Sequence, residues 1–191
     1  MMLILASQSP RRAELLNQLQ VSFTSCVVDI DESPIPEEEP DVYVSRLAVQ
    51  KARAGQSRSP QGSVVLGSDT IVVVDGKILG KPRDQEESQL MLNLLSDRTH
   101  QVCTAVTVMC EDRVLSSLVK TQVTFKALSD QEIEWYWNTG EPADKAGSYG
   151  IQGLGGRFVK RIEGSYSAVV GLPLFETGEL LSEMGISVYE C

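Results

Sequence analysis

Histidine is almost missing from this chain of 191 residues, which holds one, His100. Cysteine is scarce: Cys26, Cys103, Cys110 and Cys191 stand apart, and none forms a C-x-x-C pair. A zinc site is therefore not expected. Isolated thiols argue instead for reduced cysteines and a cytoplasmic protein. No hydrophobic run approaches the roughly 20 residues that span a bilayer. The N-terminal run Met2-Leu3-Ile4-Leu5-Ala6 is short and lacks a basic leader, so no signal peptide is expected. Positive charge is in deficit, with 17 Lys and Arg against 26 Asp and Glu and a net charge of −9. That balance disfavours non-specific binding to nucleic acid or an anionic membrane, and makes any local cluster of cations informative. Hydrophobic content of 42% with 23% charged residues marks a globular chain. With no internal repeat or low-complexity linker, a single domain over residues 1–191 is expected.

The rest of the chain is organised around Ser7-Gln8-Ser9-Pro10-Arg11-Arg12. An apolar strand signal precedes it and leucines at helical spacing follow, so the hexapeptide is a strand-to-helix turn. Ser9 suits the N-cap and Pro10 the first helical position. Arg11 and Arg12 then fall in the first turn, where the helix dipole disfavours cations. An anion at that point would offset the cost, and helix N–H groups, serine hydroxyls and guanidinium forks make a phosphate cradle. The other reading of both arginines is a pair of solvated surface charges.

Ser22 to Val28 alternates in part and reads as a second strand. Asp29, Asp31, Glu32, Glu37, Glu38 and Glu39, with prolines among them, read as an acidic loop. From Pro40 the pattern is helical, and Lys51 on it is a ligand candidate or part of a solvated face. Ser63 to Gly67 and Ile71 to Val74 are buried-strand signals that Ser68-Asp69-Thr70 is expected to interrupt. A carboxylate between two such runs is costly unless it is paired or chemically used, which makes Asp69 the first catalytic candidate. The alternative is a turn-capping aspartate. Asp75-Gly76 is a hairpin signal, returning through Lys77-Ile78-Leu79. Asp84 to Ser96 reads as an amphipathic helix with Leu90, Met91, Leu94 and Leu95 inward. Val102 to Met109 and Val114 to Phe125 read as antiparallel strands around Glu111-Asp112. Ser129 to Trp137 reads as a helix opened by the capping box Ser129-Asp130-Gln131-Glu132. Trp135, Tyr136 and Trp137 suit base stacking or, for at least two of them, core or dimer contact. The Gly-rich run from Lys145 to Gly156 is neither a Walker loop nor a dinucleotide fingerprint; its glycines suit close approach to a ligand or a tortuous loop. Phe158 to Ile162 reads as a strand, Gly164 to Val170 as a turn and short strand, and Pro173 to Met184 as a closing helix.

Arg11, Arg12, Lys51 and Lys81 are thus cations at or beside element ends, Glu32 and Asp69 carboxylates, and Gln152 an amide in the Gly-rich loop. Cations for phosphate oxygens and carboxylates for a divalent ion are the needs of a metal–triphosphate site. An aspartate can also deprotonate or orient water, and an amide can read a pyrimidine edge by donating to a carbonyl and accepting from the ring N–H.

Ala6-Ser7-x-Ser9-Pro10-Arg11-Arg12, Lys51-Ala52, Gly67-Ser68-Asp69-Thr70, Gly80-Lys81-Pro82, Lys145-Ala146-Gly147-x-Tyr149-Gly150-Ile151-Gln152-Gly153 and Val170-Gly171-Leu172-Pro173 together resemble the Maf family of nucleotide pyrophosphatases, in order and over essentially the whole chain. The resemblance implies an α/β fold like that of the inosine triphosphate pyrophosphatases: an elongated, twisted mixed sheet flanked by helices, with a cleft between two lobes. It implies hydrolysis of a nucleoside triphosphate to monophosphate and pyrophosphate with Mg²⁺ or Mn²⁺. It assigns Asp69 as proton acceptor, places Ser7, Arg12, Glu32, Lys51 and Lys81 around phosphate and metal, and suggests a homodimer. Arg11, Thr70 and Gln152 resemble the branch acting on dTTP and UTP. The sister branch, acting on 7-methyl-GTP, has Trp, Gln and Glu there. Other readings are a different triphosphate, such as a modified pyrimidine removed in nucleotide house-cleaning, and a nucleotide-binding regulator of septum formation.

Overall fold

Continuous apolar runs give strands in this protein, and apolar residues three or four apart give helices. The computed structural model describes residues 1–187. Cys191, expected to be a reduced thiol, lies outside them; Cys26, Cys103 and Cys110 are free thiols. In chain order the elements are β1 (Leu3–Leu5), α1 (Pro10–Asn17), β2 (Phe23–Ser25), α2 (Pro40–Gln56), β3 (Val64–Val74), β4 (Lys77–Leu79), α3 (Gln85–Leu95), β5 (Thr99–Cys110), β6 (Arg113–Phe125), α4 (Asp130–Asn138), β7 (Val159–Glu163), α5 (Tyr166–Val170) and α6 (Leu174–Glu183). Short 3-10 turns fill Glu141–Asp144, Ala146–Ser148 and Leu154–Phe158. The strands join in the order β2-β1-β3-β5-β6-β7, with β4 on β3. β1 is parallel to β2 and β3, whereas β3–β4 and β6–β7 are antiparallel. The expected α/β class, a mixed sheet flanked by helices, is therefore the one observed. No helix among the described residues is long and apolar enough to cross a membrane.

By their internal contacts the described residues form two compact units: Met1–Asp69 with Thr104–Val119 and the described residues from Gly171, and Thr70–Cys103 with Lys120–Val170. In the first, Ile4, Ala6 and Val65 pack against Cys26 and Val28. Helix α2 buries Tyr43, Val44, Leu47, Ala48 and Ala52. It lies so close to β3 that a Cβ on Gly67 would sit 2.5 Å from both the Ala48 carbonyl oxygen and the Ala52 nitrogen. Only glycine fits there, and its bare backbone fixes the distance from helix to strand.

The second unit is built on Phe125, Tyr136, Tyr149 and Phe158, whose rings meet edge to face. The Asp75-Gly76 turn has φ of 50° and 73°, both left-handed as a tight hairpin requires. Ser129 and Glu132 form the expected capping box. Tyr136 enters the core, while Trp135 stays 40% exposed under the Arg157 guanidinium.

Three expectations are corrected. Residues 68–70 do not interrupt β3, because Ser68 and Asp69 find partners on neighbouring elements: Ser68 Oγ lies 2.8 Å from the Ala105 carbonyl oxygen on β5, and Asp69 is held by Lys51 of α2. On α3 the inward stripe is Ser88, Met91, Leu92 and Leu95, leaving Leu90 and Leu94 exposed. Asp84 caps the helix through the Glu87 N–H, and the i, i+3, i+4, i+7 face from Ser88 runs through Leu92. Tyr166–Val170 is helical, not a strand, since Ser165 Oγ accepts the Ala168 N–H as an N-cap does.

His100 is 3% exposed, hydrogen-bonded through Nε2 to the Tyr149 hydroxyl, and its Nδ1 has no partner. Burial lowers its pKa from 6.5 to about 4. The unfolded chain therefore takes up the proton first as pH falls, so this contribution to stability is complete above pH 6.5 and is lost on descending to about 4. The loss should approach roughly 3 kcal/mol. Urea midpoints at pH 7 and 4.5 should show a smaller acid destabilisation in His100→Gln than in the natural protein.

Candidate active site

Three elements of the first unit meet at one ammonium. Lys51 leaves the face of α2 next to Ala52, whose backbone rests on Gly67, and its Nζ donates to Asp69 Oδ1 at 2.5 Å. The same Nζ is 2.7 Å from Glu32 Oε1. Lys51 and Asp69 side chains are 12% and 11% exposed and Glu32 51%, so the cation bridges a buried carboxylate and an outer one. Lys51 is thus not a solvated helix charge, nor Asp69 a turn cap.

Glu32 is brought there by residues the sequence did not single out. Arg46 holds Glu38 with two bonds, Nε to Oε1 and Nη2 to Oε2, both 2.7 Å, and donates from Nη2 to the Ser33 carbonyl. The Tyr43 hydroxyl donates to the Glu32 carbonyl at 2.8 Å. The acidic loop is thereby moored to α2. In sequence, Tyr43 reads only as a core position and Arg46 only as one more polar helix residue, because their partners lie in an irregular loop.

Ser9 is the N-cap of α1 and Pro10 begins the helix, as expected, but the Ser9 side chain makes no capping bond. Ser7, 8% exposed, accepts the Ser9 N–H at its hydroxyl instead. Arg12 Nε donates to the Gly171 carbonyl at 2.8 Å, tying α1 to the segment before α6. Ser68 Oγ is 3.2 Å from that same carbonyl oxygen. Burial lowers the Arg12 pKa, Asp69 and Glu32 oppose the shift, and neighbouring Arg11 adds to it. Arg12 remains a cation at neutral pH, held within electrostatic reach of both carboxylates. The structure therefore brings together Arg12, Glu32, Lys51 and Asp69, with Arg11 beside Arg12 and Ser7 at the head of the turn.

Thr70, Lys81 and Gln152 belong to the second unit. Thr70 follows Asp69 on β3 and is half-buried; Lys81 and Gln152 are exposed. The segment that carries Lys81 is joined to the Gly-rich run, since the Gly147 N–H donates to the Gly80 carbonyl at 3.0 Å.

Among the described residues no group of three or more His, Cys, Asp and Glu side chains could cage a metal ion. What exists is a pair, Glu32 and Asp69, whose oxygens already converge on a positive charge, the Lys51 ammonium. That donor set fits a hard divalent cation completing its shell with phosphate and water oxygens. It does not fit a closed structural site.

Related proteins align with this chain over nearly their whole length. The "dTTP/UTP pyrophosphatase" of Pseudoalteromonas atlantica is 56% identical over 193 aligned residues, covering 100% of both chains. That of Vibrio vulnificus is 58% identical, covering 95% of this chain and 97% of its own. Among solved structures, the Ham1 protein of Staphylococcus aureus is similar at a TM-score of 0.46 and 15% identity, over 68% of this chain and 73% of that one. A family model described as "Maf-like protein" matches residues 2–184, and with it the chain belongs to the Maf family.

Proposed function

We propose that this protein is a nucleoside triphosphate pyrophosphatase acting on dTTP and UTP. The observation that carries the reading is the Lys51 ammonium held between Asp69 and Glu32, two carboxylates that are also within electrostatic reach of Arg12. The names of the relatives support the substrate class. Two carboxylates and a set of cations serve hydrolysis of a phosphoanhydride; a pure nucleotide binder has no need of a buried carboxylate to act on water. A Mg²⁺ or Mn²⁺ ion, when bound, would neutralise phosphate charge and polarise the anhydride, with Glu32 and Asp69 holding it. Lys51 orients Asp69 through Oδ1, and we assign Oδ2 to the attacking water. Arg12 and Lys81 hold phosphate oxygens, with Ser7 and the N-terminus of α1 as donors. Arg11, Thr70 and Gln152 select the base, Gln152 pairing its amide with the pyrimidine edge. The same reading takes the protein to be a cytoplasmic homodimer that engages neither nucleic acid nor membrane.

The test is pyrophosphate release from a panel of triphosphates with Mg²⁺ or Mn²⁺. Hydrolysis of dTTP and UTP, with 7-methyl-GTP untouched, is the expected result. Nucleotide binding without hydrolysis of any triphosphate would overturn the reading in favour of a regulatory protein. Gln152→Glu should lower kcat/KM for dTTP by about 100-fold, because a carboxylate cannot donate to a pyrimidine carbonyl and repels it. Steady-state kinetics on dTTP and 7-methyl-GTP would show whether discrimination falls with it.

A further inference from the structure

The Gly-rich run is wrapped around a carboxylate of the protein itself. Glu141, in the turn after α4, accepts the Leu154 N–H at Oε2 (2.8 Å) and the Gly155 N–H at Oε1 (3.1 Å). The Tyr136 hydroxyl donates to the same Oε1 at 2.7 Å and accepts the Gly150 N–H at 3.0 Å. Successive amides pointed at one anion form the concave arrangement that elsewhere binds free anions. Two of the glycines are shaped by these two side chains. A Cβ on Gly153 would lie 2.3 Å from Glu141 Oε2, and one on Gly155 2.5 Å from the Tyr136 hydroxyl. The space that glycine leaves at these two positions is filled from within, by Glu141 and Tyr136.

The charge is stabilised in place. Burial works against the Glu141 carboxylate, but hydrogen bonds from Tyr136, Gly155 and Leu154 and the charge of Lys145 outweigh it, leaving its pKa below the ordinary value. Lys145 Nζ also donates to the Glu141 carbonyl at 2.8 Å and to Asp144 at 2.7 Å. Tyr136 is wholly buried, so the clasp is anchored to the aromatic core. The bonded amides at positions 150, 154 and 155 bracket Gln152, whose own side chain is exposed.

We propose that Glu141, with Tyr136 behind it, is a positioning residue for substrate selection: the clasp fixes the backbone on both sides of Gln152 and so aims its amide at the base. This rests on the pyrimidine reading of Gln152 above. An amide presented by a floppy loop would lose discrimination between bases before it lost the chemistry at Asp69.

The experiment compares the natural protein with Glu141→Gln, Tyr136→Phe, Gln152→Ala and the double variant Glu141→Gln/Gln152→Ala. Kinetics on dTTP, UTP and dATP are paired with amide hydrogen exchange of residues 150–156. Glu141→Gln should lower the dTTP to dATP ratio of kcat/KM by about tenfold, through KM more than kcat, and speed exchange at Leu154 and Gly155 by about tenfold or more. Tyr136→Phe, which keeps the ring in the core, should move both readouts the same way. The double variant should discriminate no worse than Gln152→Ala, since both changes remove one interaction. Equal losses on dTTP and dATP, additive losses in the double variant, or unaltered exchange would overturn the proposal. Should the natural protein hydrolyse neither dTTP nor UTP, the assigned activity falls separately. Exchange then decides the clasp, faster exchange in Glu141→Gln supporting it and unchanged exchange overturning it.

Discussion

Asp69→Asn should reduce pyrophosphate release from dTTP and UTP by about a thousandfold or more while leaving dTTP binding within about tenfold. The swap keeps the shape and removes both the charge and the basic oxygen. It should be well tolerated by the fold, because Lys51 is not orphaned: Glu32 Oε1 remains 2.7 Å from its ammonium. Asparagine Oδ1 can still accept from Lys51, so the loss of stability should stay at about 2 kcal/mol. Kinetics, a denaturation midpoint and dTTP calorimetry on one preparation separate these effects. Full binding with no turnover would place Asp69 in the chemical step. Retained turnover would remove Asp69 from it and leave the Lys51 bridge a structural ion pair. Glu32→Gln is the companion measurement. Glu32 is the more exposed partner, so its loss should raise the divalent-ion concentration needed for half-maximal rate more than it lowers the saturated rate.

Much of this was legible in the sequence, for physical reasons that also mark where legibility stops. Local signals held. Asp75-Gly76 specified a left-handed hairpin turn, Ser129 and Glu132 a capping box, and Pro10 and Pro40 the starts of α1 and α2, because each acts within four residues of itself. The misreadings came where a distant partner changed the energetics. Ser68 and Asp69 looked like a break in β3; with Ala105 and Lys51 to satisfy them they sit inside a continuous strand. Leu90 and Leu94 have the hydrophobicity of core residues, but the helical phase is set by Ser88 and Leu92. The family resemblance named Lys51, Glu32 and Asp69 without placing them, and the structure adds the shared ammonium. Nothing near Glu141 hints that its partners are amides at Leu154 and Gly155, and nothing near Arg46 that it moors an acidic loop. A partner met far along the chain or in an irregular loop, above all a backbone amide, carries no residue-type signature at a fixed spacing, so sequence cannot announce it.

Gly67→Ala is expected to be the most damaging single methyl in the first unit. Its Cβ would lie 2.5 Å from the Ala48 carbonyl oxygen and the Ala52 nitrogen, and 3.0 Å from Ala52 Cα. These are backbone atoms of α2, which no rotamer change can move. The helix must retreat by on the order of 1 Å, or β3 must buckle, at roughly 3 kcal/mol or more. Lys51 is carried on that turn of helix, so the retreat draws its ammonium from Asp69, now 2.5 Å away. At a temperature where the variant stays folded, kcat should still fall by about 10- to 100-fold, as misplacement on this scale does in other sites. Gly178→Ala, in α6 of the same unit, is the control. Its Cβ would meet nothing within 4 Å, so there the same methyl should be neutral or stabilise by up to about 1 kcal/mol through helix propensity. Denaturation midpoints moving in opposite directions would show that contact with α2, rather than glycine replacement as such, is the cause. A Gly67→Ala protein with natural stability and turnover would mean that α2 and β3 can part freely, and that their close approach at Gly67 does not set the Lys51–Asp69 distance.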